Sequence, residues 1–168
     1  MRYFIFFIFF VFSGYISAVE EVEICELYFA KTGPCNFKGI KVDIVTKKVN
    51  SDEKILSSLL VSNQGNKHLL KITEDTSILK GDKGYISFLD INFDAIPDIA
   101  VTTSFGLANV FLDYWVYNTT NSQYVFVGNF ARLKLNKNLK TLSNRIKVNA
   151  VEYKNNTYIW QGLKLVIR

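Results

Sequence analysis

Three aspartates and an asparagine lie close together in residues 90–98, which read Asp-Ile-Asn-Phe-Asp-Ala-Ile-Pro-Asp. A hard cation such as Ca²⁺ takes about six to eight oxygen ligands. One loop could supply most of them from the side chains of Asp90, Asn92, Asp94 and Asp98 and from the main-chain carbonyl of Ile96. Because neighbouring carboxylates repel one another when no cation is bound, this spacing predicts a structural calcium site.

The segment is not an EF-hand, because Val101 occupies the position where an EF-hand loop requires a bidentate glutamate. It is similar to the shorter strand-loop-strand calcium loops of integrin-type and dockerin-type domains. The position usually held by glycine is Ala95, and a left-handed alanine costs about 1 kcal/mol. The alternative is an acidic turn without a metal, closed by hydrogen bonds from Asp and Asn side chains.

Catalytic motifs are scarce. The chain has one histidine, His68, and two cysteines, and no serine-nucleophile, zinc-protease or phosphate-loop pattern occurs. A hydrolase could use Asp90, Asp94, Asp98 or Asp113 as catalytic acids. We consider this the weakest functional hypothesis, because Asp90, Asp94 and Asp98 lie close together in one loop at the spacing of metal ligands. Glycosidases instead place two carboxylates on either side of the scissile bond. We therefore expect that the protein is not an enzyme.

Residues 88–99 resemble the D-x-N-F-D-G-x-P-D signature of calcium-binding periplasmic immunity proteins. These proteins inhibit lysozyme-like effectors that are delivered by killing type IV secretion systems. The resemblance covers roughly residues 84–168 and includes Asn109, 115–118, 124–126, 158–160 and 163–165. It implies metal ligands at Asp90, Asn92, Asp94 and Asp98, with Ala95 as the departure from the pattern. Residues 19–83 resemble no family that we can name.

The resemblance implies an exported inhibitor whose partner is a lysozyme-like peptidoglycan glycoside hydrolase. The cleft of such an enzyme carries two carboxylates, and calcium would fix the geometry of the inhibitor before it binds. Candidate protruding loops are 104–109, 118–122 and 136–144, and no individual contact residue is assigned. The alternative function is a calcium-stabilised structural or adhesion-type module that binds a surface protein or glycan.

The first eighteen residues have the layout of a secretory signal peptide. Arg2 precedes an unbroken apolar run over residues 3–12, and Ala18 is a small residue before a cleavage point. The run is shorter than the roughly 20 residues that a transmembrane helix needs. We expect a cleaved signal peptide at 1–18, one domain at 19–168 and a periplasmic or secreted bacterial protein. An uncleaved anchor and a buried first strand are the alternatives.

The two cysteines, Cys25 and Cys35, are expected to form a disulfide because an exported protein folds in an oxidising compartment. Gly33 and Pro34 between them favour a turn. The spacing differs from the Cys-x-x-Cys of redox enzymes. Two buried free thiols are the alternative.

The remainder of the chain predicts strands. Hydrophobic residues make up 49% of the chain and charged residues 21%, which excludes disorder, and the aromatic content of 15% favours strands. Predicted strands lie at 24–29, 40–46, 67–72, 85–89, 99–104, 112–118, 124–129, 132–135, 146–153, 157–160 and 163–167. Predicted turns lie at 81–84, 118–122 and 154–156, and residues 51–60 fit either a short helix or a strand. The pattern predicts an all-β fold, an antiparallel sandwich or barrel-like single domain.

Charge is unevenly distributed. Residues 103–168 contain nine Lys and Arg but only two acids, Asp113 and Glu152, whereas residues 19–102 carry a net charge of −3. The C-terminal half could attract an anionic partner, or it could simply be a solvated basic surface. Nucleic acid is not an expected partner of an exported protein without an RNA-binding motif.

Overall fold

A computed structural model describes residues 23–30, 33–73, 76–105 and 108–168. These residues contain fourteen strands and no helix: β1 Glu23–Tyr28, β2 Cys35–Phe37, β3 Ile40–Lys48, β4 Glu53–Asn63, β5 Asn66–Lys71, β6 Ser77–Leu79, β7 Lys83–Leu89, β8 Asp98–Thr102, β9 Phe111–Asn118, β10 Gln123–Ala131, β11 Lys134–Asn136, β12 Thr141–Lys147, β13 Tyr153–Gln161 and β14 Lys164–Ile167. In these ranges no helix has the length and apolar character needed to cross a membrane. The predicted signal peptide at 1–18 lies outside the described residues.

The strands form three antiparallel sheets. The central sheet has the order β1-β7-β8-β9-β10. The first outer sheet has the order β2-β3-β4-β5, with β6 paired to β4, and the second outer sheet has the order β11-β12-β13-β14. The prediction of an all-β, antiparallel sandwich-like fold is confirmed.

The central sheet separates two hydrophobic cores. Ile86, Phe88 and Trp115 point from one of its faces into the core shared with the first outer sheet. Leu112 and Tyr114 point from the other face into the core shared with the second outer sheet. Because both faces of the sheet are covered, β8 is buried along its whole length.

The disulfide joins the edges of two sheets. Cys25 on β1 of the central sheet is bonded to Cys35 on β2 of the first outer sheet, with the Cα atoms 5.9 Å apart. The predicted pairing is therefore present in the structure. It links two strands that have no hydrogen-bonded ladder between them.

Two predictions about the C-terminal hairpin are wrong. Residues 146–153 do not form one strand, because β12 ends at Lys147 and a turn follows. Residues 154–156, predicted as a turn, lie within β13. The Asn149 side chain causes the turn by accepting hydrogen bonds from the N–H groups of Val151 and Glu152. Asn156 is instead buried and donates a hydrogen bond from Nδ2 to Asn144 Oδ1.

The ambiguous segment 51–60 belongs largely to β4, whose residues pair with β3, β5 and β6. The short strands β2 and β6 were not predicted from the sequence. Each has only three residues, too few to show an alternating pattern.

Candidate metal-binding loop

The acidic loop, residues 90–98, connects β7 to β8 of the central sheet. It brings the five predicted ligands, Asp90, Asn92, Asp94, Ile96 and Asp98, into one short segment. Their environments differ: Asp94 is exposed, Asp90, Asn92 and Ile96 are half-buried, and Asp98 is fully buried. The loop therefore has a solvent-facing part and an end that is anchored in the fold.

The solvent-facing part is closed by side chains that accept hydrogen bonds from nearby backbone N–H groups. Asp90 Oδ1 accepts from Asp94 N at 2.9 Å, and Asp90 Oδ2 accepts from Ala95 N at 3.0 Å. Asp94 Oδ1 accepts from Ile96 N at 2.8 Å, while Asp94 Oδ2 accepts from Asn92 Nδ2 at 2.8 Å. These bonds give the turn a defined shape and satisfy its backbone donors.

Asp98 fastens the anchored end of the loop. Its Oδ2 accepts from Ile91 N and its Oδ1 accepts from Tyr117 N on β9, both at 2.9 Å. Burial raises the pKa of Asp98 to about 8. The hydrogen bonds from Tyr117 and Ile91 oppose this shift, and the carboxylates of Asp94 and Asp90 add to it. Without a metal, burial therefore dominates and favours the neutral acid below about pH 8.

A contact from the second outer sheet also holds the loop. Trp160 Nε1 on β13 donates to the carbonyl oxygen of Ile91 at 2.7 Å, and the Ile91 side chain is fully buried. The sequence places Trp160 in a predicted strand, 157–160, and gives no sign of this contact. The two residues are 69 positions apart, so no local pattern could reveal the contact.

The chemistry of the donors fits a hard cation, since the loop offers three carboxylates and an amide oxygen. A carboxylate oxygen that accepts one N–H bond keeps a second lone pair. However, in the described part of the chain no group of three or more His, Cys, Asp or Glu side chains is arranged to hold a metal. Asp98 would also have to lose its proton to act as an anionic ligand. The hydrogen bonds are those expected of a metal-free turn, so calcium remains a proposal.

The backbone of the loop contains two left-handed residues that are not glycine. Phe93 has a φ of +63° and Ala95 a φ of +67°. The second value explains why glycine is usual at the Ala95 position, because a Cβ atom disfavours this conformation.

A cleft of about 370 Å³ lies beside the loop. Its lining includes Ala95, Ile96 and Pro97 from the loop, Lys38 and Gln64 from two hairpin turns, and Thr119 from the β9–β10 turn. One of the predicted protruding segments, 118–122, therefore lines the same cleft as the acidic loop.

The other two predicted protruding segments differ from expectation. In 136–144 only 137–140 form a turn, because residues 141–144 belong to β12 and Asn144 is buried. Segment 104–109 includes residues outside the described ranges. Its Asn109 is fixed to the end of β12, accepting from Lys147 N and donating to the Lys147 carbonyl.

Asp113 and His68 are the other residues considered for catalysis, and both make contacts that belong to the packing of the fold. Asp113 is fully buried and accepts hydrogen bonds from Thr73 N, Thr73 Oγ1 and Asn129 Nδ2. It connects β9 to the segment after β5 and to β10, so its carboxylate is not exposed to a substrate. His68 packs edge-on against Tyr124, with ring centroids 5.5 Å apart.

Replacing Ala95 with glycine should stabilise the protein by about 1 kcal/mol, because glycine adopts a positive φ without steric penalty. Urea unfolding of Ala95→Gly would measure the change. Ala150→Gly is the matched control, since Ala150 is exposed and does not have a positive φ, and it should be neutral or slightly destabilising. Equal effects of the two substitutions would contradict the conformational argument.

Asp98→Asn should lower the free energy of unfolding by about 1–3 kcal/mol, because an amide has only one acceptor oxygen for two buried N–H donors. Chemical denaturation in EDTA would measure this loss without a metal contribution. Asp43→Asn is the control: Asp43 forms an exposed ion pair with Lys41, and such pairs contribute about 0–1 kcal/mol. An Asp98→Asn protein as stable as this control would show that the buried carboxyl does not anchor the loop.

Comparisons with known proteins do not assign a family. No family model matches the chain, and neither a curated protein nor a solved structure is significantly similar to it.

Proposed function

We propose that this protein is an exported inhibitor of a lysozyme-like peptidoglycan hydrolase and that a structural calcium ion stabilises its acidic loop. The observation that carries the proposal is the position of residues 90–98. The segment that resembles the immunity-protein signature borders a cleft together with the predicted protruding turn 118–122. A metal that fixed this loop would therefore also fix one wall of a surface suited to a protein partner.

Rigidity is the contribution expected from calcium. Association loses affinity when loops must be ordered during binding, so an inhibitor gains when its contact surface is ordered beforehand. Asp98 already holds the C-terminal end of the loop, and Trp160 holds its N-terminal end at Ile91. Calcium would hold the solvent-facing part by neutralising Asp90 and Asp94.

Lys38 gives the cleft a positive charge that suits the partner. It lies on the turn between β2 and β3, lines the cleft beside the acidic loop and forms no ion pair within the described ranges. A glycosidase cleft carries two carboxylates. A lysine ammonium close to them would form charge-assisted hydrogen bonds.

Removing calcium should lower the melting temperature, and adding it back should restore the loss. At a concentration about 100 times the Kd, a ligand stabilises the folded state by about 2.7 kcal/mol, which corresponds to roughly 5–10 °C for a domain of this size. Scanning calorimetry with EDTA and then with excess Ca²⁺ would measure the shift.

Asp94→Ala should abolish this calcium-dependent shift. Asp82→Ala is the control, because Asp82 is a turn carboxylate that accepts from Leu79 N outside the loop, and it should keep the full shift. The calcium proposal is contradicted if wild-type protein melts at the same temperature in EDTA and in calcium.

The purified protein should slow peptidoglycan clearing by a lysozyme-type hydrolase in a dose-dependent, near-stoichiometric manner. Lys38→Asn should weaken this inhibition about ten- to a hundredfold, because a hydrogen bond to a charged group contributes about 1.5–3 kcal/mol. The turn itself should survive, since Lys38 has a φ of +45° and asparagine tolerates that conformation.

Lys67→Asn on the exposed side of β5 is the matched control and should inhibit like the wild type. If no lysozyme-type enzyme among those encoded beside the gene or exported by the same cell is inhibited, the inhibitor proposal fails. Binding to such an enzyme without inhibition would favour the adhesion-type alternative.

A further inference from the structure

A groove of about 410 Å³ lies on the opposite side of the central sheet from the first outer sheet. Its floor consists of Leu89, Ala100, Leu112 and Tyr114, all on the face that packs against the second outer sheet. Leu133 and Leu135 form one wall. Ile24 on edge strand β1 forms the other wall and remains 50% exposed. The second outer sheet therefore leaves the β1 side of this apolar face open.

The polar groups in the groove are few and mostly occupied. Tyr114 Oη accepts from Leu133 N, and Tyr85 Oη accepts from Arg132 Nε at 2.5 Å. Ser87 is the other hydroxyl in the lining. A peptide would bring a donor and an acceptor for every residue. The side chains of this lining offer few partners for them, and pairing would be confined to the backbone edges of β1 and β11, which end their sheets. The groove is thus suited to a hydrocarbon chain.

Two exposed cations, Arg132 and Lys134, border the groove, and among the residues that the structure describes its lining contains no acid. The Arg132 guanidinium lies 4.4 Å from the centroid of the Tyr85 ring. Since its Nε is bonded to the Tyr85 hydroxyl, the group is held at the lip while its terminal nitrogens have no hydrogen-bond partner in the described structure.

An acidic residue lies close to the groove but is not among its lining residues. Glu26 is the cross-strand partner of Tyr85, and its carboxylate interacts with the Tyr28 hydroxyl on the same strand. In the described part of the chain neither Arg132 nor Lys134 forms an ion pair, so both charges are available to a ligand.

We propose that this groove binds a single-chain anionic lipid, with its acyl chain on the leucine-lined floor and its phosphate or carboxylate head against Arg132. Each buried methylene contributes about 0.8 kcal/mol, and a guanidinium presents paired donors that match either head group. The volume falls within the range of about 300–1,000 Å³ typical of small-ligand sites. The proposal does not depend on the inhibitor function, because the groove and the acidic-loop cleft have no lining residue in common.

Three amphiphiles with the same tail would test both parts of the proposal: dodecyl phosphate, dodecyl maltoside and dodecyltrimethylammonium. Each is titrated into the purified protein by calorimetry below its critical micelle concentration. We expect saturable one-to-one binding of dodecyl phosphate, at least tenfold weaker binding of the maltoside and still weaker binding of the cation. Equal affinities for all three, or no saturable binding of dodecyl phosphate, would overturn the proposal.

Variants separate the head-group contact from the tail contact. Arg132→Gln should weaken dodecyl phosphate binding roughly three- to tenfold, as expected for a partly solvated charge pair, with little effect on the maltoside. Arg132→Lys should recover only part of the loss, because it keeps the charge but not the paired donors or the Nε bond to Tyr85. Ile24→Asn should weaken both ligands, and Lys67→Gln on the far outer sheet should weaken neither. Unchanged affinity in Arg132→Gln, or binding to anionic phospholipid vesicles without binding to monomeric dodecyl phosphate, would contradict the proposed site.

Discussion

The buried carboxyl group of Asp98 is the interaction on which the acidic loop depends. It accepts one hydrogen bond from the start of the loop, at Ile91, and one from Tyr117 on β9, an inner strand of the central sheet. A buried carboxyl is tolerated only when its oxygens are paired, so the loop and β9 are fixed relative to each other. The burial of Asp98 follows from the layered architecture, because outer sheets cover both faces of the central sheet.

This anchoring divides the loop into two functional parts. The end at Asp98 belongs to the core and sets the position of β8. Asp90 and residues 92–96 are half-buried or exposed and carry the remaining proposed ligands, and Ala95 and Ile96 line the cleft with Lys38. In the proposed function, calcium and the partner both act on this outer part, whose shape is already biased by hydrogen bonds from Asp90 and Asp94.

The sequence predicted features that depend on local pattern. Alternating and β-branched runs located most strands of the central sheet, and the left-handed position at Ala95 could be expected from the usual glycine there. Asparagines were ambiguous, because the same side chain can close a turn, as Asn149 does, or satisfy a buried strand, as Asn156 does. Which role applies depends on the cross-strand partner Asn144, and a single sequence does not reveal that partner.

Features that depend on tertiary packing were not predictable. The Trp160–Ile91 hydrogen bond joins distant parts of the chain, and the burial of Asp98 depends on β9 and both outer sheets. The groove beside Ile24 exists because the second outer sheet covers only part of the central sheet, which no composition or spacing encodes. Arg132 is likewise one cation among nine in the C-terminal half, and its contact with Tyr85 at the groove depends on tertiary packing.

The most direct test of the central claim is a crystal structure of the protein grown with millimolar calcium. We predict one ion at about 2.3–2.6 Å from oxygens of Asp90, Asn92, Asp94 and Asp98 and from the carbonyl of Ile96. A structure without an ion there, in which the same side chains keep only their hydrogen bonds to backbone N–H groups, would contradict the calcium proposal.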